Sequence, residues 1–140
     1  MGSHEKYGRR VLKAAAGAAF SEWGVSVQVD YGAGQPARID GTVGGSIAVE
    51  VESRTSKQVR GAVLDLIFHG YQKKLLVLLP VHMSDAQVAA QQCRNALGRF
   101  VQPDNFRVVV LTGHADLPLV ERDAEVLRTA LAELGFSGAV

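Results

Sequence analysis

The chain has 140 residues, of which 47% are hydrophobic, and carries 15 Lys or Arg against 14 Asp or Glu. That length and apolar content suffice for one domain with its own core and exclude a disordered chain. Near-neutral charge lacks the basic signature of many nucleic-acid binders, no apolar run nears the roughly 20 residues that span a bilayer, and a single cysteine, Cys93, excludes a disulfide framework or thiolate metal site.

Lys6, Arg9, Arg10 and Lys13 make the N-terminus too polar for a signal peptide, so the expected location is cytoplasmic, with no membrane partner. Met1-Gly2-Ser3-His4 reads as an expression-vector scar, leaving 5–140 as a single domain. Charge is uneven along the chain: residues 1–74 hold ten Lys or Arg against seven acids, and residues 75–140 hold five against seven.

In chain order, Val11, Leu12, Ala15, Ala19 and Phe20 recur at helical spacing and predict a helix from Glu5 to Trp23, stopped by Gly24. Its cations Arg9, Arg10 and Lys13 gather as a solvated face, with a grip on a DNA backbone as the second reading, and Glu22 near its far end reads as solvated, with reach to a metal region as the second reading. Val25 to Asp30 alternates as a strand does. Gly32-Ala33-Gly34 lacks the third glycine and following helix of a dinucleotide fingerprint and reads as a loop. Ala37 to Val43 and Ser46 to Val51 predict two antiparallel strands around Gly44-Gly45, a pair suited to the positive φ angles of a tight turn.

Side chains alternate along a strand, so Ile47, Val49 and Val51 share one face and Ala48, Glu50 and Glu52 the other. Asp40, on the neighbouring strand, joins the two glutamates if the register turns it to their face. Like charges so close raise one another's pKa unless a cation intervenes. A hard divalent ion, Mg²⁺ or Mn²⁺, is the natural occupant of such an oxygen-rich site.

Ser53-Arg54-Thr55-Ser56 offers N-cap hydroxyls to a second helix that buries Val59, Ala62, Val63, Leu66 and Ile67 and runs to about His69. Arg54, Lys57, Gln58 and Arg60 crowd its start, where free N–H groups and the helix dipole favour a phosphate. Lys74 to Pro80 and Phe106 to Leu111 are short apolar runs expected as buried strands. Ala86 to Phe100, capped by Ser84 or Asp85, is a helix with Val88, Ala89, Cys93, Ala96, Leu97 and Phe100 toward the core. Leu119 to Leu134 is the last helix. Strands alternating with helices imply parallel pairing and an α/β architecture, a mixed sheet flanked by helices. His69, His82 and His114 show no paired zinc-ligand spacing, and no serine sits in a nucleophile elbow.

Asp40, then Glu50-Val51-Glu52 at the end of the next strand, then a helix, resembles the signature of the PD-(D/E)xK nuclease superfamily, which includes restriction endonucleases and Holliday-junction resolvases. Asp40 and Glu50 match its two acids, and Glu52 stands where its lysine usually is, an acid-x-Glu variant. The resemblance spans roughly residues 5–80. It implies a restriction-endonuclease-like αβββαβ core with a C-terminal α-β-α addition, and the activity of a metal-dependent endonuclease on DNA. Asp40 and Glu50 would then bind the Mg²⁺ or Mn²⁺ with the Val51 carbonyl, Glu52 or Lys57 would orient or deprotonate the attacking water, and Arg54, Gln58 and Arg60 would contact DNA. Cutting both strands implies a homodimer, and the small size leaves room for a larger protein that supplies target recognition. Two rival readings are a noncatalytic nuclease-like module that binds DNA or a protein partner, and a plain α/β domain whose acids are a solvated strand face.

Overall fold

A computed structural model describes residues 2–54 and 57–138. The chain builds a five-stranded mixed sheet, in the order β1 (Phe20–Ser21), β4 (Gly41–Val43), β5 (Ile47–Glu52), β6 (Lys73–Leu78), β7 (Phe106–Val110), and a separate ribbon of β2 (Gln28–Val29) and β3 (Ala37–Arg38). β1, β4 and β5 pair antiparallel, and β5, β6 and β7 run parallel. The parallel strands are joined through α2 (Lys57–Phe68) and α3 (Ala86–Leu97).

Two apolar layers clamp the sheet. Ile47, Val49, Val51, Leu75 and Val77 pack against α1 (Ser3–Ala16) and α4 (Val120–Glu133), while Ala48, Leu76, Leu78 and Val108 pack against α2 and α3. The predicted division of β5 into two faces therefore holds. The α/β architecture with helices on both faces is the one expected from the alternating pattern.

Differences lie mainly before residue 44. The first helix ends at Ala16, not Trp23, because Gly17 takes φ 57 and Phe20–Ser21 leaves to pair with Thr42 and Val43. Strand pairing overrides the helix preference of the alanines. A Cβ on Gly41 would fall 2.3 Å from Phe20 Cε1, so only glycine lets that ring cross β4.

The expected strand over Val25–Asp30 is a 3₁₀ turn, Val25–Val27, followed by two strand residues. The expected strand over Ala37–Val43 is broken at Ile39-Asp40, where Ile39 donates its N–H to the Val27 carbonyl instead of continuing one ladder. The Gly44-Gly45 turn has φ 61 and 68, as a tight reversal requires.

Asp85 caps α3, accepting the Gln87 and Val88 N–H groups at 3.1 Å each. Cys93 is buried there, whereas Val88 and Phe100, expected in the core, are exposed. The helix stops at Leu97, before Phe100 can complete the stripe. Ser3 and His4 belong to the first turn of α1; Met1, and the cap expected at Thr55 and Ser56, lie outside the described residues. No described helix is long and apolar enough to cross a membrane.

Candidate acid site at the end of the hairpin

Pairing of Gly41 with Val49 carries the antiparallel register on to set Asp40 beside Glu50. Glu50 Oε1 accepts the Asp40 N–H at 2.9 Å, and Asp40 Oδ2 accepts the Val51 N–H at 2.7 Å. The Asp40 side chain thus takes the place of the next ladder bond, which is why β4 begins only at Gly41. Glu50 is 7% exposed and Glu52 5%, so these acids are not a solvated strand face.

Burial raises the Glu50 pKa most, the neighbouring Asp40 charge and a hydrogen bond shared with Asp40 raise it further, and the charge of Asp65 adds to them; together they push it up to about 10. At neutral pH Glu50 therefore holds a proton between two other acids.

Arg9 holds the other side of Asp40. Its Nη2 donates to Asp40 Oδ1 at 2.7 Å, its Nη1 donates to Glu22 Oε1 at 3.1 Å, and Lys13 Nζ lies 3.2 Å from Glu22 Oε2. Gly8 makes this reach possible, since a Cβ there would sit 2.5 Å from Val51 Cγ1. Without a side chain at Gly8, α1 lies directly on β5 and delivers the next residue to Asp40. Arg9 Nε is buried with no hydrogen-bond partner among the described residues.

Glu52 points to the same sheet face as Glu50 but is otherwise engaged. Its Oε2 accepts the Ser53 and Arg54 N–H groups at 3.0 and 2.8 Å, and the Arg54 guanidinium pairs with both carboxylate oxygens. Arg54 also lies 3.8 Å from Glu5. Lys57 and Gln58 are exposed on the first turn of α2, and Arg60, also exposed, lines the groove between α2 and α3 together with Ser84 and Asp85.

Of the predicted residues, then, the fold brings Asp40 and Glu50 together, keeps Glu52 one step along the strand under Arg54, and sends Arg60 elsewhere. Two further residues bear on the pair: Arg9, expected on a solvated face, pairs with Asp40, and Asp65, which accepts the Tyr31 hydroxyl, adds its charge to the field at Glu50. Asp65 follows Gln58 by two helical turns, so Gln58 shares its face of α2. A lone acid between Val63 and Leu66 in an apolar stripe was the available signal.

The histidines also gather in part: His4 stands edge-on to His82 and His114, with ring centroids 5.2 and 5.6 Å away. Among the described residues, no three His, Cys, Asp or Glu side chains are arranged to hold a metal ion. Comparison with known protein families, characterised proteins and solved structures found no match.

Proposed function

We propose that the protein is a metal-dependent phosphodiester hydrolase acting on DNA, an endonuclease or nuclease module with a restriction-endonuclease-like core. The observation that supports this reading is the Asp40–Glu50 pair, in which a buried carboxyl is packed against a second acid and pairs with no basic side chain among the described residues. A buried acid pair of this kind is a costly arrangement for stability alone.

The donor set fits Mg²⁺ or Mn²⁺. Both oxygens are hard, and such ions are commonly held by one or two carboxylates with waters and substrate phosphate completing the shell. An extended residue directs its N–H and C=O to the same strand edge, so the Val51 carbonyl lies toward Asp40 as well. A cation bound there supplies charge to the scissile phosphate and acidity to an attacking water.

The protein's own residues do the rest. Glu50 gives up its proton when the site is loaded, Arg9 steadies Asp40, and Glu52 takes a proton from the water once Arg54 swings out to a substrate phosphate. Lys57, exposed at the head of α2, is the alternative group for the same task, and Gln58 lies on the α2 face that carries Asp65. The test is cleavage of supercoiled plasmid with Mg²⁺ or Mn²⁺. Asp40→Ala and Glu50→Ala should each abolish nicking while the proteins stay folded. Undiminished nicking by either variant overturns the assignment.

One observation favours a noncatalytic nuclease-like module that binds DNA or a protein: arginines already occupy Asp40 and Glu52, as in a site that has replaced a metal by side chains. The plasmid assay separates the two readings, since the noncatalytic module leaves DNA intact with either ion.

A further inference from the structure

Beside the acid pair, α1 forms one wall of an open concavity of about 400 Å³ lined by Lys6, Arg9, Arg10, Lys13 and Glu22. The four cations are spaced i, i+3, i+4 and i+7, so they form a single stripe along one helix face. The stripe is about 10 Å long at 1.5 Å per residue, the axial span of about three phosphates on one strand of a duplex. Arg9, at its centre, touches Asp40, so the stripe leads directly to the acids.

Not all of this charge is free. Arg9 is shared by Asp40 and Glu22, and Lys13 is paired with Glu22. Lys6 and Arg10 are exposed and enter no ion pair among the described residues. A concavity lined by two uncommitted cations suits an anion with several oxygens.

We propose that this face of α1 is the track for a nucleic-acid phosphate backbone, with Lys6 and Arg10 as its principal contacts. The proposal rests on the nuclease reading for the identity of the ligand. It assigns the grip to α1, the second reading of those cations in the sequence, and not to the start of α2. Phosphate contacts of this kind position a duplex without reading its sequence.

The experiment is equilibrium binding of a fluorescent 20-base-pair duplex in EDTA, across a range of salt, to the wild type, to Lys6→Ala/Arg10→Ala, and to Arg60→Ala. The wild type should bind with a clear salt dependence. The double variant should bind about tenfold more weakly, with the slope of log K against log salt reduced by roughly 1.8, the counterions of two phosphates. Arg60→Ala should match the wild type, and millimolar inorganic phosphate should not displace the duplex. Equal binding by the double variant, loss confined to Arg60→Ala, displacement by free phosphate, or no binding by the wild type at low salt each overturns the proposal. Mn²⁺ binding by the double variant should equal the wild type's, which keeps failure of this track distinct from failure of the acid site.

Discussion

Glu50 and Asp40 hold each other through main-chain groups: Glu50 accepts the Asp40 N–H, and Asp40 accepts the N–H of Val51, the residue after Glu50. Strand pairing therefore sets the two carboxylates side by side, and the electrostatic cost of that placement belongs to the protein itself.

That cost has a sign in pH. The folded protein keeps Glu50 protonated, whereas the unfolded chain releases that proton above its ordinary value of 4.5. Stability contributed by the neutral form is thus complete below that value and is lost as pH rises toward the folded pKa, by up to roughly 1.4 kcal/mol per pH unit. Glu50→Gln keeps an acceptor for Asp40 and cannot ionise. Urea denaturation without metal should show the variant gaining on the wild type between pH 5 and pH 7.5. His69, whose pKa burial lowers, works in the opposite direction, but it is common to both proteins and cancels in the difference. A constant difference across that range would contradict the account.

Arg9→Leu leaves Asp40 and Glu22 partly buried without the cation between them. The variant should lose about 1–3 kcal/mol, the middle ground between an exposed and a fully buried pair. Thermal melts should then show Mn²⁺ stabilising it more than the wild type, since the ion no longer competes with a guanidinium for Asp40. Equal metal response in both proteins would show that Arg9 and the ion do not share a site.

Two glycines on helices should behave oppositely. Gly8→Ala forces a methyl against Val51 and within 3.3 Å of Leu79 Cδ1, which should cost about 1–3 kcal/mol. Gly61→Ala meets nothing within 4 Å in the exposed part of α2 and should gain about 0.5–1 kcal/mol from helix propensity. Denaturant midpoints check both signs.

Asp123 is fully buried and accepts the Tyr7 hydroxyl at 2.6 Å and the Thr112 and Gly113 N–H groups at 2.8 and 2.9 Å. It ties α1 to the β7–α4 connection. Asp123→Ala strands three donors and should cost about 3–5 kcal/mol, read as an early urea midpoint. Tyr7→Phe removes one of these bonds, although it also leaves the Leu119 N–H without its acceptor, and should cost less.

The second half of the fold was legible because its signals are local. Lys74 to Pro80 and Phe106 to Leu111 are apolar runs expected as buried strands, and cap chemistry at Ser84 or Asp85 marks the start of the next helix, which Asp85 caps. Before Gly44 the decisive contacts are long-range. Phe20 leaves a helix-favouring stretch only because β4 offers it a partner, and Ile39 turns to Val27 in a way that no window of sequence displays. The acid pair was legible because strand alternation and a glycine turn fix register. Arg9 was not, because its role depends on where α1 crosses β5, and that crossing is set by the missing side chain of Gly8. Glu52 illustrates the remaining limit: its face followed from alternation, but its capture by Arg54 depends on how the chain turns after the strand.

Whether Asp40 and Glu50 form the proposed cation site is decided by calorimetric titration with Mn²⁺ in two buffers of different ionisation enthalpy, alongside Asp40→Ala/Glu50→Ala. Binding to the wild type should be saturable, strengthen as pH rises, release about one proton because Glu50 must ionise, and disappear in the double variant. Binding that survives in that variant, or no saturable binding by the wild type at millimolar Mn²⁺, would contradict the proposed site.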